Sequence, residues 1–152
     1  MDDTDKKIIT ALAQNSDIPH AEIAENIGIT RQTVASRIRR LEQGGVISKY
    51  RAVIDYGRAG LKSFFILFLK LDVSNRNKAA DFIQSLKNDS HVLMDVSITG
   101  EWDVMLMLAF NDVKDYESYI GDMHLKMGSM IKDSKSHVIL NFYKTPDDYV
   151  PA

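Results

Sequence analysis

The first third of the chain repeats apolar residues at helical spacing, and residues typical of turns interrupt the pattern twice. The pattern predicts a helix over 4–14, a shorter one over 20–26 and a third over 31–43. Gly28 supplies a sharp turn before the third helix, and Thr30 is a good N-cap for it. Short helices joined by such a turn are typical of a helix-turn-helix domain.

The third predicted helix divides into two faces of different chemistry. Val34, Ile38 and Leu41 share one narrow stripe at about 100° per residue, so they are expected to pack on the first two helices. Arg31 and Arg37 flank this stripe. The opposite side is polar and holds Gln32, Thr33, Ser36, Arg39, Arg40 and Gln43. The same pattern also fits an amphipathic surface helix whose arginines serve solubility.

The rest of the chain alternates between strand-like and helix-like patterns. A β-like stretch over 46–55 comes after the third helix, and 57–62 has the composition of a hinge. After the hinge the pattern predicts strands and helices in the order βαββαβ, typical of a ferredoxin-like domain, over 63–73, 76–88, 91–99, 102–110, 112–127 and 136–143. The sequence thus predicts an α+β protein with a winged helix-turn-helix domain over 1–56 and a βαββαβ domain over 63–152.

The first predicted strand of the second domain is apolar on both of its faces. Its residues from Phe64 to Leu69 are all hydrophobic. Two helices cover only one face of a sheet, so the other face needs a second sheet against it, and another subunit is the simplest source. We therefore expect a homo-oligomer, at least a dimer, that buries this strand.

Charge is distributed unevenly along the chain. The net charge of −2 argues by itself against a nucleic-acid binder. Residues 31–58, however, hold seven Lys or Arg against two Asp or Glu, whereas residues 1–30 hold two against six. One basic segment in an otherwise acidic protein is typical of a localised phosphate-binding surface, and a solvated basic helix face gives the same count.

Several classes of function lack the residues that they need. The chain has no cysteine, which excludes disulfides, cysteine-based zinc sites and cysteine nucleophiles. Its histidines are scattered, and it has no phosphate-binding glycine loop, nucleophile elbow or HExxH motif. We therefore expect neither an enzyme, a metal site nor a resident cofactor. The acidic N-terminus and the short apolar runs favour a cytoplasmic protein that does not enter membranes.

The polar face of the third helix carries residue types that suit a major groove. Gln pairs bidentately with adenine and Arg with guanine, while Ser and Thr bind bases or phosphates. The N-terminal part of a recognition helix reaches base edges, so Gln32, Thr33 and Ser36 are the expected base readers. Arg39 and Arg40 are expected on phosphates, which position the protein rather than specify sequence. The predicted DNA-binding set is Arg31, Gln32, Thr33, Ser36, Arg37, Arg39, Arg40, Lys49 and Arg51.

Four stretches of the chain each carry a distinctive residue pattern. They are the aspartate-rich start of the first helix, 3–9; the second helix and turn, 21–30; most of the third helix with the glycine pair after it, 33–47; and the Thr-Gly-Glu-Trp-Asp turn, 99–103. The spacing of a valine, an Arg-Ile pair, a leucine and Gly-Val-Ile is specific. Together they resemble the leucine-responsive and asparagine-regulator (Lrp/AsnC) transcription factors along nearly the whole chain. Pro19 departs from the family pattern, which has a serine cap there. The resemblance implies DNA-binding dimers that assemble further, commonly into octamers.

The resemblance also implies an amino-acid effector bound between dimers, near the glycine turn and a pair of hydroxyl residues. The matching residues are Gly100, Glu101, Trp102, Asp103, Ser134 and Ser136. Asp103 suits an α-ammonium group, and the backbone N–H groups of Gly100 and Glu101 can approach a carboxylate. The alternatives are a structural turn cap for Asp103 and a core or interface aromatic for Trp102.

The sequence therefore predicts a transcription regulator that binds specific double-stranded DNA and whose assembly or DNA affinity responds to a small molecule, an amino acid by resemblance. One alternative is an architectural DNA-binding protein of the same fold that ignores small molecules. Another is a ferredoxin-like enzyme or metabolite-binding module whose N-terminal helices only mediate assembly, and the basic segment counts against it.

Overall fold

The computed structural model describes residues 1–72, 74 and 76–145, without the side chains of Arg76 and Asn77. The chain divides into two compact units. The first is Met1–Val53, joined by residues 143–145, and the second is Ile54–Phe142. The residues predicted to form a hinge, 57–62, belong to the second unit, and their role as a hinge stays a prediction.

Unit 1 contains the three predicted helices, α1 (Asp3–Gln14), α2 (His20–Ile27) and α3 (Arg31–Gln43). Gly28 ends α2 at φ +78°, a left-handed conformation that glycine adopts without strain. The apolar faces of the helices meet in one small core formed by Ile8, Ile23, Ala24, Val34, Ile38 and Leu41. The helical prediction is confirmed for this unit.

The β-like stretch over 46–55 does not form a strand, so that part of the prediction is wrong. In the described part of the chain, no strand lies between α3 and Ser63. The β-branched and aromatic residues of this segment favour an extended backbone, but a strand becomes stable only when another strand accepts its hydrogen bonds. Ile47 packs on the core of the three helices, but Val53 and Ile54 are exposed, so the described residues cover only the start of the segment.

Unit 2 has the predicted order βαββαβ. Its elements are β1 (Ser63–Leu71), α4 (Arg76–Leu86), β2 (Val92–Ser97), β3 (Val104–Phe110), α5 (Val113–Met127) and β4 (Ile131–Val138). The four strands form one sheet in the order β2-β3-β1-β4, and every neighbouring pair is antiparallel. The predicted end of the first strand at Val73 lies outside the described residues.

The last strand lies earlier in the chain than the predicted range of 136–143. Ile131 pairs with Leu71 and Val138 pairs with Phe65, so the pairing of β4 with β1 covers a polar stretch. An edge strand needs backbone hydrogen bonds on one side only, and its side chains can remain polar. The apolar residues after Val138 produced the wrong range. Ser134 consequently lies within the strand and not before it, and Ser136 lies near the end of the strand and not at its start.

In the part of the chain that the structure describes, helices cover one face of the sheet and leave the other without a helix. Phe65, Leu67 and Leu69 point to the covered face and are buried together with side chains of α4 and α5. The alternate residues of β1 point to the other face with apolar residues of β2 and β3. We call this surface the open sheet face: Phe64, Ile66, Phe68, Met94, Val96, Met105 and Met107. None of these seven residues is buried.

No helix in the described ranges has both the length and the apolar composition that crossing a membrane requires.

Candidate nucleic-acid interface

The polar face of α3 is exposed along the length of the helix. The stripe of Val34, Ile38 and Leu41 is buried in the core of unit 1, which fixes the opposite face toward solvent. That face presents the predicted side chains Gln32, Ser36, Arg39 and Gln43, and Arg31 is exposed in the first turn. The structure therefore brings an amide, a hydroxyl and guanidinium groups onto one helical surface.

The N-terminus of α3 is closed by a threonine cap. The Thr30 Oγ1 accepts a hydrogen bond from the Thr33 backbone N–H at 3.1 Å, and the two hydroxyl oxygens lie 2.8 Å apart. Thr33 is half-buried and its hydroxyl is already engaged. Of the three predicted base readers, Gln32 and Ser36 are exposed and Thr33 is partly occupied by the cap.

Two arginines of α3 bind the aspartates at the start of α1, which the sequence analysis did not foresee. The Arg37 Nη1 lies 2.8 and 2.6 Å from the two carboxylate oxygens of Asp2 and 2.9 Å from the Asp5 Oδ1. The Arg40 Nη2 lies 2.9 and 2.8 Å from the two carboxylate oxygens of Asp5. We call these four residues the Asp–Arg cluster. It links α1 to the polar side of α3.

The same aspartates also cap α1. The Asp5 backbone N–H donates to the Asp2 side chain at 2.9 Å, and the Asp2 backbone N–H donates to the Asp5 side chain at 3.1 Å. The Asp-x-x-Asp spacing is a signal from which this capping box could have been predicted. The pairing with Arg37 and Arg40 spans more than thirty residues, and no local pattern indicates it.

Charge pairing shifts the pKa values in the cluster. The hydrogen bond from Arg37 is the main cause that lowers the pKa of Asp2 from 3.8 to about 2. Burial raises the pKa of Asp5, but hydrogen bonds from Arg37 and from the Asp2 backbone, with the charge of Arg40, more than offset it and leave the pKa lowered. Both carboxylates are therefore ionised at neutral pH.

The two cations predicted beyond α3 lie in the irregular segment after that helix. Lys49 and Arg51 are exposed. Both line an open groove of about 480 Å³ between residues 46–53 and the C-terminal end of α1. They share unit 1 with the polar face of α3.

The turn predicted to bind an effector is tied to β1 by its aspartate. The Asp103 Oδ2 accepts a hydrogen bond from the Leu71 backbone N–H at 2.7 Å, and the Asp103 backbone N–H donates to the Leu69 carbonyl at 3.0 Å. Within the described ranges, the Asp103 Oδ1 has no hydrogen-bond partner. Gly100 has φ +116°, a conformation that residues with a Cβ rarely adopt. Trp102 is half-buried, with its ring 6.2 Å from that of Phe68.

The predicted hydroxyl pair contacts α5 instead of that turn. The Ser136 Oγ is hydrogen-bonded to the Tyr116 hydroxyl, and the Ser134 Oγ lies 3.2 Å from the His124 Nε2. Both serines are on the helix-covered side of the sheet, because Ser134 and Ser136 pair with Leu69 and Leu67. The structure of one chain does not bring the serines and the Asp103 carboxylate to a common site.

Acidic and histidine side chains do not gather into a metal site in the described part of the chain.

Both units match known families. The model for winged helix-turn-helix DNA-binding matches residues 1–48, and the model for the Lrp/AsnC ligand binding domain matches residues 65–148. The transcriptional regulator AldR of Mycolicibacterium smegmatis is 30% identical over 120 residues, which cover 79% of this chain and 70% of the relative.

Solved structures share the fold over almost the whole chain. An AsnC family transcriptional regulator from Agrobacterium tumefaciens has a TM-score of 0.89 at 22% identity, covering 95% of this chain and 94% of the other. A transcriptional regulator from Neisseria meningitidis, crystallised as its L-Met complex, has a TM-score of 0.88 at 23% identity, with 95% and 93% covered.

Proposed function

Because the chain belongs to the Lrp/AsnC family of DNA-binding transcription regulators, we propose that α3 reads operator DNA in the major groove. The observation that carries this proposal is the division of α3 into a buried stripe and an exposed polar face. Gln32 and Ser36 contact base edges, since they are exposed near the helix N-terminus, and Thr33 contributes through its cap. Residues that reach phosphates are Arg31, Arg39, Lys49 and Arg51.

Operator binding can be tested with one base-reading and one phosphate-binding variant. Gln32→Ala should cost about 1–3 kcal/mol at its own base pair and relax specificity there. Arg39→Gln should weaken binding to all sequences alike and reduce the salt slope by about one. Electrophoretic shifts at several salt concentrations, on selected and random DNA, measure both. Gln84→Ala, an exposed glutamine of α4 in unit 2, is the matched control. Equal affinity of the wild type for selected and random DNA would contradict the proposal.

Unit 2 is the ligand-binding domain of the family, and we propose that its ligand is a free amino acid held between copies of the chain. The complex of the neisserial structural neighbour with L-Met supports this ligand class. Asp103 keeps one carboxylate oxygen for an α-ammonium group while the other binds Leu71. Backbone N–H groups around Gly100 suit the ligand's carboxylate.

A second copy of the chain completes this arrangement by covering the open sheet face. Its seven residues are apolar or thioether side chains that one chain leaves partly in water. Exposed apolar patches of this kind mark protein interfaces. A ligand that binds between copies changes DNA binding only if it has different affinities for two assemblies.

The effector proposal is tested by titration calorimetry of the protein with each of the twenty amino acids, and then with Asp103→Asn. Asparagine keeps an oxygen for the Leu71 N–H and removes only the charge, so binding should weaken about tenfold or more without loss of stability. Glu101→Gln is the matched control, because it removes a charge in the same turn and keeps the backbone N–H. If no amino acid binds below millimolar, or if Asp103→Asn binds as the wild type does, the turn is structural.

A further inference from the structure

Asp5 is the one buried charged residue in the described part of the chain. It is 1% exposed, and its carboxylate accepts hydrogen bonds from the Asp2 backbone, Arg37 and Arg40. A carboxylate without water needs such donors, since burial of an unpaired charge is very unfavourable. Asp5 thus has a fixed position, which in turn fixes the groups that bind it.

The two arginines of the cluster differ in how far they reach the solvent. The Arg37 side chain is 25% exposed and is shared between Asp2 and Asp5. The Arg40 side chain is 63% exposed, although its Nη2 contacts both oxygens of Asp5. Arg40 lies on the polar side of α3, with Gln32, Ser36 and Arg39. It therefore connects a buried carboxylate with the surface that faces DNA.

We propose that Asp5 is a positioning residue that holds the Arg40 guanidinium on the DNA-facing side of α3, ready to bind a backbone phosphate. This inference rests on the proposed role of α3 in reading DNA. A guanidinium has five N–H donors in a planar fork, so one edge can bind a carboxylate while another binds a phosphate. Fixing the side chain in advance removes the entropy cost of ordering it on binding.

The negative charge of Asp5 is offset by the guanidinium groups of Arg37 and Arg40 in this geometry. The carboxylate is covered, and the more exposed Arg40 lies at the surface. A phosphate that approaches the helix meets the guanidinium and not the carboxylate. The two explanations therefore predict opposite changes in DNA affinity when Asp5 is neutralised. Loss of positioning would weaken binding, whereas removal of a negative charge alone would strengthen it.

Asp5→Asn in the full chain tests this sign, with Asp3→Asn as the matched control. Asp3 lies in the same turn of α1, and its side chain is 93% exposed. Its ion-pair partner among the described residues is Lys6, at 3.8 Å, so the control makes the same change of charge without touching the arginines. We expect Asp5→Asn to weaken operator and random DNA alike by about tenfold, and Asp3→Asn to leave binding unchanged or slightly stronger. Adding Arg40→Gln to Asp5→Asn should cause little further loss, since both act through one contact.

Stronger binding by Asp5→Asn would overturn the inference in favour of simple neutralisation. A selective loss of discrimination between operator and random DNA would also overturn it, since α3 itself would then have moved. If Asp5→Asn fails to fold, Arg40→Lys decides: it keeps the charge but lacks the fork, so we expect about tenfold weaker binding, and unchanged affinity contradicts positioning. Loss of binding in Arg39→Gln but not in the cluster variants would refute this inference and leave the proposed function standing.

Discussion

The two units differ in how much of their functional surface one chain completes. In unit 1 the core of α1, α2 and α3 is closed, and the polar face of α3 is a finished surface with its charges paired or solvated. In unit 2 the helices cover one face of the sheet, and the open sheet face remains apolar and partly exposed. Under the proposed function, DNA recognition uses groups that are already in place, whereas ligand sensing depends on a surface that a second copy of the chain completes.

This difference separates two kinds of substitution. Under the proposed function, a change on α3 alters contacts with DNA and leaves the rest of the molecule as it is. A change on the open sheet face is then expected to alter the assembly, and through the assembly both ligand and DNA binding. Coupling between ligand binding in unit 2 and DNA binding in unit 1 consequently needs no strain inside unit 1. It needs only that the arrangement of two copies of unit 2 determines where two copies of unit 1 lie.

The largest effect is expected from a charge on the open sheet face. Ile66→Glu places a carboxylate at the centre of the apolar surface, where a partner would leave it buried and unpaired. The assembly should dissociate to monomers, as measured by sedimentation velocity over a range of protein concentrations. Leu125→Glu is the matched control, because Leu125 on α5 is 83% exposed and outside the open sheet face. If Leu125→Glu dissociates and Ile66→Glu does not, the interface lies on the helices and not on the open sheet face.

Truncation of two neighbouring residues of β1 should affect two different properties, the stability of the fold and the strength of the assembly. Leu67 is fully buried among side chains of the helix-covered core, so Leu67→Ala should cost about 2–5 kcal/mol of unfolding free energy at any protein concentration. Ile66 points to the other face, so Ile66→Ala should cost about 1 kcal/mol or less in the monomer and should weaken the assembly instead. Urea unfolding at two protein concentrations separates the effects. A concentration-independent loss of several kcal/mol for Ile66→Ala would show that the sheet has no open face.

Acid should destabilise unit 1 more than unit 2. A carboxyl whose pKa is lower in the folded state stabilises the fold fully above its unfolded value, and this stabilisation is lost as the pH falls toward the folded value. For Asp2 the window runs from 3.8 down to about 2, and Asp5 also has a lowered pKa. Unit 2 has one described carboxyl of this kind, Asp72, whose pKa is lowered mainly by the backbone N–H of Ser74.

The unequal loss can be monitored by NMR of the full chain between pH 6 and 2.5, in which signals from α3 should lose dispersion before those from β1. Arg37→Gln removes the main cause of the lowered pKa of Asp2. This variant should be less stable than the wild type at neutral pH, and its stability should fall less steeply as the pH drops below 4. Simultaneous loss of both sets of signals in the wild type would mean that the Asp–Arg cluster adds nothing to the acid response.

The spacing of apolar and polar residues predicted those features of the fold that depend on residues close together in the sequence. The stripe of Val34, Ile38 and Leu41, the threonine cap and the order βαββαβ follow from spacing, so the fold and the polar face of α3 could be predicted. The resemblance to the family added the roles of the two domains.

The rest depends on pairs of residues that are distant in sequence. The Asp–Arg cluster joins residues more than thirty positions apart, and α1 begins with acids in many helices that have no such partner. The range of β4 was misplaced because an edge strand is selected by backbone pairing with β1, which leaves no apolar signal. The stretch 46–55 has a strand-like pattern without a strand to pair with, and a pattern cannot show whether a partner is present.

The smallest effect is expected at the helix starts of unit 1, where α3 has a side-chain cap and α2 has none. Thr30→Ala removes the acceptor for the Thr33 N–H and should cost about 1 kcal/mol, measured as a lower midpoint of thermal or urea unfolding. Pro19 begins α2 without a side-chain hydrogen bond, at φ −59°. Pro19→Ser adds a cap but loses the rigidity that proline gives to the unfolded chain, so the gain in stability should stay below the loss from Thr30→Ala.

Thr30→Ala should also weaken operator binding at the base pairs nearest to Gln32, because the cap orders the first turn of α3. Pro19→Ser should leave operator binding unchanged. Equal effects of the two substitutions on binding would mean that the first turn of α3 does not contact the bases.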